Sequence, residues 1–304
     1  MMDEYDVIII GSGPAGLTAG IYAGRQGLKT LILEKAVIGG AGLMVPNMEN
    51  YPGFEIVSGK QLIEYTKKQT QKYAQINELE EVTGVDIKGE NEIIISTQKS
   101  EYKAKKLIIC TGTTHRKLGA KGEEEHLGKG VFYCAVCDGP LFVGKRILVV
   151  GGGNTAAQGA LFLNNIGSYV AMVHRRDELR AERYLKEKLD EEDIPIIWDT
   201  VVDEIKGEML VDGVVLHHLK DDIKKEYDID GVYIAIGESA NNDIAKSIGV
   251  EIDKAGYIIT DKSQRTNIEG VYAAGDISVG VNQWVVASGE GAVAALSAYD
   301  DLQK

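Results

Sequence analysis

The sequence predicts an α/β fold made of two three-layer domains, one inserted into the other. A strand–glycine turn–helix–strand pattern occurs twice at a fixed offset, and a further strand pattern near the end of the chain returns to the first domain. The length, 304 residues, fits two domains. We place the first domain at 1–113 and 240–304 and the inserted domain at 114–239.

The two copies of the βαβ pattern are residues 7–35 and 147–175, and they correspond without a gap. In each glycine turn the first glycine makes the tight strand-to-helix turn, the second admits a pyrophosphate to the backbone, and the third position packs the helix on the strand. One such turn often has only a structural role, but two in register favour ligand binding. We therefore predict two Rossmann-like dinucleotide-binding domains.

The two copies differ at the residue that follows the second strand. Glu34 in the first copy predicts hydrogen bonds to a ribose 2′-hydroxyl, and so an unphosphorylated adenosine. The second copy has His174, Arg175 and Arg176, followed by Arg180. Guanidinium groups bind a 2′-phosphate, which favours NADPH, and we expect Arg176 and Arg180 to share one helical face. The alternative interpretation is a solvated basic helix start, because acidic residues interleave.

The strand pattern at 266–276 ends in Gly275-Asp276. A carboxylate at the carboxyl end of such a strand lies where ligands bind in α/β sheets. In FAD enzymes with this arrangement it bonds the ribityl chain, so the first domain is predicted to bind FAD. We expect a helix from Ser288 onward, with small residues that let its N-terminus approach the flavin.

Cys134 and Cys137 form a C-x-x-C pair in the inserted domain, directly followed by Asp138. Two thiols at this spacing can close a small disulfide ring. A zinc site needs four ligands, whereas the remaining cysteine, Cys110, lies in a strand pattern and no histidine flanks the pair, so no metal is predicted. Asp138 is a candidate proton donor and acceptor for dithiol chemistry, the alternative being a solvated turn residue.

Charge and composition exclude several kinds of partner. The chain has 33 basic and 46 acidic residues and a net charge of −13, which argues against nucleic acid. We find no apolar run near the roughly 20 residues of a membrane span, and the N-terminal residues lack a secretory pattern. Three cysteines do not make a disulfide scaffold. We therefore expect a cytoplasmic protein with no membrane partner.

The order of motifs GSGPAG, ENYPG (Glu49 to Gly53), CAVCDG, GGGNTA, HRR-x-x-x-RA and AAGD resembles the low-molecular-weight thioredoxin reductases of the prokaryotic type. The resemblance covers essentially the whole chain. It implies an NADPH-dependent flavoprotein that passes electrons through FAD to the Cys134–Cys137 disulfide and on to thioredoxin or a thioredoxin/glutaredoxin-like protein. It also implies a homodimer.

Other functions remain open at this point. One is a flavoprotein of the same scaffold that accepts electrons from reduced ferredoxin or acts on a small dithiol. Another is a non-catalytic, redox-sensing nucleotide-binding module.

The resemblance also implies roles for individual residues. Cys137 is the flavin-proximal sulfur, Cys134 the thiol that attacks the partner disulfide, and Asp138 the acid/base residue. The predicted FAD-binding residues are Gly11, Ser12, Gly13, Pro14, Ala15, Gly16, Glu34, Lys35, Gly39, Gly40, Ala41, Asn50, Thr111, Gly112, Gly275, Asp276, Ile277, Gln283 and Trp284. The predicted NADPH-binding residues are Gly151, Gly153, Asn154, Thr155, Ala156, His174, Arg175, Arg176 and Arg180.

Two segments depart from the family pattern near the predicted flavin site. Ala41-Gly42 stands where the family usually has glutamine after two glycines, and Asn282-Gln283-Trp284 stands where Arg-Gln-Ala is frequent. For Trp284 both packing and stacking on the isoalloxazine are open.

Overall fold

The computed structural model describes residues 2–44, 48, 50–89 and 91–304, except for the side chains of Met44 and Cys137. The chain divides into two compact units. The first comprises Met1–Thr114 and Ser239–Lys304, and the second is His115–Glu238. In the described residues no helix is both long and apolar enough to cross a membrane.

Strands and helices alternate around the two glycine turns, and runs of consecutive strands lie between those segments. The strands are β1 (Asp3–Ile10), β2 (Thr30–Leu33), β3 (Gln75–Asn77), β4 (Val82–Gly89), β5 (Glu92–Thr97), β6 (Glu101–Ile109), β7 (Thr113–His115), β8 (Val131–Phe132), β9 (Arg146–Gly151), β10 (Tyr169–Val173), β11 (Ile196–Ile197), β12 (Thr200–Lys206), β13 (Gly213–His218), β14 (Ile223–Asp228), β15 (Gly231–Ala235), β16 (Glu238–Ala240) and β17 (Val271–Ala273). The α-helices are α1 (Pro14–Arg25), α2 (Gly59–Thr70), α3 (Ala135–Asp138), α4 (Asn154–Asn165), α5 (Arg183–Glu191), α6 (Asp243–Ser247) and α7 (Trp284–Leu302). Short 3₁₀ helices occur at Gly40–Met44 and Gly139–Phe142.

The first unit is built on a parallel sheet whose strands run in the order β3-β2-β1-β6, with β17 paired to β6. β5 and β4 extend the sheet in antiparallel fashion. Ile8 and Ile10 of β1 face one apolar cluster and Val7 faces another, so both faces of the sheet are buried. This burial explains why β1 is a continuous apolar run rather than an alternating one.

Helices α1 and α7 pack against each other on one face of this sheet. A Cβ atom at Gly291 of α7 would clash with the carbonyl oxygen of Ala15, so the glycine permits the close approach. The expectation that this helix begins at Ser288 is wrong, because α7 begins at Trp284. Gly291 therefore packs α7 on α1, and the segment from Ser288 onward does not form the helix N-terminus.

The second unit is also built on a parallel sheet. Its parallel sheet has the order β11-β10-β9-β15-β8, which matches β3-β2-β1-β6-β17 of the first unit. Helices α4 and α5 cover one face, and the antiparallel sheet β12-β13-β14 covers the other. This strand order is that of a Rossmann half. The prediction of two Rossmann-like three-layer domains, one inserted into the other, is confirmed.

The two places where the chain crosses between the units are ordered strands. β7 and β16 pair as a two-stranded sheet. Within the second unit, Arg116 donates from its backbone N–H to the carbonyl oxygen of Gly237 at 2.9 Å and from Nε to that of Glu238 at 2.7 Å. The left-handed φ angles of Gly112 and Gly237, +61° and +98°, require glycine on each side of this ribbon.

Candidate dinucleotide and redox sites

In the first glycine turn, two glycines lie in close contact with the backbone and a third faces open space at the helix N-terminus. A Cβ at Gly11 would clash with the carbonyl oxygen of Cys110, and one at Gly16 with that of Gly11. A Cβ at Gly13, by contrast, would meet nothing within 4 Å. Gly13 caps α1 without a side-chain hydrogen bond, so the first N–H groups of the helix lie beside this space. A helix N-terminus of this kind binds phosphate groups.

The carboxylate of Glu34 lies at the carboxyl end of β2 and is held by the turn. One oxygen accepts hydrogen bonds from the N–H of Ser12 at 2.9 Å and from its Oγ at 2.7 Å. The other oxygen accepts from the N–H of Ala36 at 2.9 Å. Each carboxylate oxygen has two acceptor positions, so capacity remains for a ribose hydroxyl. Sequence reasoning named Ser12 as a ligand contact but missed that it orients Glu34.

The loop after β2 lies beside the same turn. The N–H of Gly39 lies 3.4 Å from Ser12 Oγ, and a Cβ at Gly40 would come 3.6 Å from Gly13 Cα. The predicted contacts of this loop therefore adjoin the open space at Gly13. Lys35 and Ala41 are exposed.

The turn that bears Asp276 is anchored by a residue that sequence reasoning missed. Glu290 of α7 accepts hydrogen bonds from the N–H of Gly275 at 2.8 Å and from Ser278 Oγ at 3.2 Å. Burial raises the pKa of Glu290. Gly275 has a φ of +83°, and a Cβ there would lie 2.8 Å from the Cβ of Ala15. Asp276 thus stands on a turn that is fixed to both α1 and α7.

The two departures from the family pattern contact each other. A Cβ at Gly42 would lie 2.8 Å from Cη2 of Trp284, so the glycine makes room for the indole. The Trp284 ring also meets Tyr51 edge-on, with centroids 6.4 Å apart, and packs with Ile63. These contacts give Trp284 packing partners in the first unit, and its stacking on the isoalloxazine stays a prediction. Glu49 of the predicted ENYPG motif lies outside the described residues.

Other predicted flavin contacts also meet within the first unit. Asn50 donates from Nδ2 to Oε1 of Gln283 at 3.0 Å, which joins two segments far apart in the sequence. Thr111 donates from Oγ1 to the carbonyl oxygen of Asn241 at 2.8 Å, and Asn241 Nδ2 donates back to the carbonyl of Thr111 at 2.8 Å. The strand end at Thr111 is thereby fixed.

The second glycine turn reproduces the first. A Cβ at Gly151 would clash with the carbonyl oxygen of Ala235, and one at Gly153 would meet nothing within 4 Å. Ala156 is fully buried under the turn. Asn154, the first residue of α4, donates to Oε1 of Glu182 at 2.8 Å and accepts from the N–H of Glu182 at 2.9 Å. The neighbouring Thr155 is exposed.

His174 occupies the position that Glu34 has in the first unit. Its imidazole lies against Gly152, where a Cβ would clash with the ring. The side chain is buried, and among the described residues Nε2 has no hydrogen-bond partner. Burial lowers the pKa of His174, and the nearby Arg180 and Arg176 lower it further. The charged form of this imidazole is therefore disfavoured beside the arginines.

The three arginines around His174 are exposed and, within the described part of the chain, none makes an ion pair. The expectation that Arg176 and Arg180 share a helical face is wrong, since α5 begins only at Arg183. The N–H of Arg180 instead donates to the carbonyl oxygen of Gly152 at 2.7 Å. The segment thus folds back over the glycine turn, and this fold, not a helix, brings Arg180 to His174.

Cys134 immediately precedes α3, and position 137 lies within that helix. Cys134 is disulfide-bonded and 7% exposed, whereas Cys110 is free and buried. Burial raises the pKa of Cys110, which makes that thiol unreactive. Burial also raises the pKa of Asp138, whose N–H donates to the carbonyl oxygen of Cys134 at 3.2 Å. The side chain of Cys137 is not among those described, so its role stays a prediction.

Two Rossmann-like units with open glycine turns, one of them carrying the disulfide-bonded Cys134, define a dinucleotide-dependent oxidoreductase. The family model for pyridine nucleotide-disulphide oxidoreductases matches residues 5–291. The chain belongs to this family.

The chain is similar to proteins named thioredoxin reductase. The enzyme of Peptoclostridium acidaminophilum is 39% identical over 307 residues, covering 98% of this chain and 97% of the relative. The crystal structure of the T. acidophilum enzyme is 39% identical, covers 99% of both chains and has a TM-score of 0.89. That of Lactococcus lactis is 41% identical, covers 97% of this chain and 98% of its own, and also has a TM-score of 0.89. The resemblance inferred from the motifs is confirmed.

Proposed function

We propose that this chain transfers electrons from NADPH, through bound FAD, to the Cys134 disulfide and on to the disulfide of thioredoxin or a thioredoxin/glutaredoxin-like protein. The observation that carries the proposal is the disulfide-bonded Cys134 beside Asp138, in the unit where His174 and its arginines surround the glycine turn. The names of the similar proteins support it.

The residues of the first unit fit FAD. The open space at Gly13 accepts a pyrophosphate against the N–H groups of α1, and Glu34 is held ready for a ribose hydroxyl. Asp276 stands at the carboxyl end of β17 on the turn that Glu290 fixes. A bound flavin supplies two-electron transfer between a nicotinamide and a disulfide.

The residues of the second unit fit NADPH. The open space at Gly153 takes the place that Gly13 has in the first unit. Where Glu34 would repel a 2′-phosphate, this unit has a buried imidazole without a partner for Nε2 among the described residues, surrounded by Arg175, Arg176 and Arg180. Guanidinium groups bind a phosphate with charge-assisted hydrogen bonds, so the second unit selects the phosphorylated nicotinamide nucleotide.

The exchange step is carried by the chain's own sulfurs. The Cys134 thiolate attacks one sulfur of the partner's disulfide, which forms a mixed disulfide and releases one partner thiolate to be protonated. The Cys137 thiolate then attacks the Cys134 sulfur, which reforms the Cys134–Cys137 disulfide and releases the second partner thiol. Asp138 donates the proton that one leaving thiolate takes up, and the raised pKa of this carboxyl supports the role.

The proposal includes a homodimer. Val285, Val293 and Leu296 are 43%, 37% and 37% exposed and share one face of α7. Exposed apolar side chains in such a stripe favour burial against another protein surface, here a second copy of the chain.

The proposal is tested by measuring how well the Cys134→Ser variant reduces a protein disulfide. NADPH-dependent reduction of oxidised thioredoxin should be lost in this variant, while reduction of its flavin by NADPH should persist. Cys110→Ser is the matched control and should retain both reactions, because the Cys110 thiol is buried and unreactive. Thioredoxin reduction by Cys134→Ser would contradict the proposal.

A further inference from the structure

Tyr133, the residue before Cys134, is held by two side chains that belong to neither dinucleotide site. Its hydroxyl donates to Oε1 of Glu123 at 2.6 Å. Its ring stacks on the imidazole of His115, with centroids 5.3 Å apart and an angle of 7° between the planes. We call His115, Glu123 and Tyr133 the Tyr133 clamp.

Glu123 is the rigid end of the clamp. It is 3% exposed, and besides the Tyr133 hydroxyl it accepts the N–H groups of Leu118 at 2.8 Å and Gly119 at 2.7 Å. Three donors hold a buried carboxylate in one place. Burial, together with the hydrogen bond to Glu123, raises the pKa of Tyr133, so that its hydroxyl stays protonated and continues to donate.

His115 is the end of the clamp that reaches the domain crossing. It is the first residue of the second unit and lies on β7, which pairs with β16. Its Nδ1 lies 3.9 Å from Oε1 of Glu238, the last residue of the same unit. The stack therefore connects the residue before the redox cysteine to both strands through which the chain enters and leaves the unit.

We infer that Tyr133 is a positioning residue for Cys134. The clamp fixes the main chain at 133 against both the buried carboxylate and the crossing ribbon, and so limits how far Cys134 can move from its shielded position. Any displacement of the crossing ribbon is passed through the His115–Tyr133 stack to the redox cysteine. The role of the Tyr133 clamp in turnover rests on the proposed function, whereas the effect of the clamp on the accessibility of Cys134 does not.

The first measurement is alkylation of Cys134 by iodoacetamide in protein reduced with dithiothreitol, with Cys110 as a buried internal reference. His115 is exposed, and His115→Ala removes the imidazole that stacks on Tyr133. The variant should alkylate at Cys134 about three- to tenfold faster, which is the rate change equivalent to the stacking energy of one ring pair. His115→Phe restores a stacking ring and should return the rate to within twofold of wild type. Tyr133→Phe keeps the stack but loses the bond to a charged acceptor, and it should speed alkylation about tenfold.

The second measurement separates the clamp from the proposed function. With NADPH and thioredoxin, His115→Ala should lower kcat for thioredoxin reduction, leave the rate of flavin reduction by NADPH unchanged, and be rescued by His115→Phe. If wild type does not reduce thioredoxin but alkylation responds as above, the proposed function fails and the clamp stands. If alkylation in His115→Ala and Tyr133→Phe stays within twofold of wild type, or if His115→Phe fails to rescue, the clamp is overturned.

Discussion

Replacing Gly13 by alanine should separate cofactor binding from folding. A Cβ there meets nothing within 4 Å, and the residue has φ −70° and ψ −173°, which alanine adopts without strain. The free energy of unfolding of the apoprotein should therefore change by less than about 1 kcal/mol. The added methyl group occupies the space in which the FAD pyrophosphate would contact the backbone. Overpacking of this kind costs about 1–3 kcal/mol, which corresponds to about 5- to 150-fold weaker FAD binding.

The assay is fluorescence titration of the apoprotein with FAD, paired with urea unfolding of the same preparation. Two glycines serve as controls. Gly16→Ala places a methyl group against the carbonyl oxygen of Gly11, so it should destabilise the apoprotein itself by about 1–3 kcal/mol. Gly153→Ala is the counterpart of Gly13→Ala in the second unit, and it should weaken NADPH binding while FAD binding is unchanged. FAD affinity within twofold of wild type in Gly13→Ala would refute the placement of the pyrophosphate at α1.

Three further predictions test the nucleotide site, the proton carrier and the C-terminal helix. Arg176→Ala and Arg180→Ala should each weaken NADPH binding about tenfold or more and leave NADH binding unchanged in calorimetric titrations, whereas Arg183→Ala, which removes the ion pair with Glu187, should change neither. Asp138→Asn should slow disulfide exchange about 100-fold. It should also abolish the part of the pH–rate profile in which the rate falls as the buried Asp138 carboxyl ionises, and an unchanged profile would exclude Asp138 as the proton carrier. Arg265 lowers the pKa of Asp301, which also accepts the Tyr272 hydroxyl at 2.7 Å, so Asp301→Asn should lower the free energy of unfolding by about 1–3 kcal/mol at pH 7. Because that pKa is depressed, the difference should shrink as the pH falls below about 4, and a constant difference would contradict the assignment.

The fold could be predicted because its signals are local and repeated. The apolar runs of β1 and β9, each followed by a glycine turn and a small-residue helix, recur at one offset. In the structure β1 pairs in parallel with β2, and β9 pairs in the same way with β10. Gly11 and Gly151 were predictable for the same reason, since a tight turn under a helix leaves no space for a side chain.

The contacts that tune the sites could not be predicted, because they join residues that are distant in the sequence. Nothing near Ser12 indicates that its hydroxyl orients Glu34, and the fit of Trp284 over Gly42 depends on tertiary packing. The wrong helix at 176–180 has the same origin. The spacing of Arg176 and Arg180 is helical, but the carbonyl oxygen of Gly152 accepts the N–H of Arg180 and so competes with a local helix.

The most direct test of electron flow is an anaerobic titration of the purified protein, followed by its visible flavin absorbance. If the two glycine turns bind FAD and NADPH as argued, the protein carries or can be reconstituted with FAD, and NADPH bleaches it far faster than NADH, while reduced ferredoxin has no effect. A polypeptide that cannot be reconstituted with flavin, or one whose flavin is reduced by ferredoxin and not by NADPH, would contradict the account.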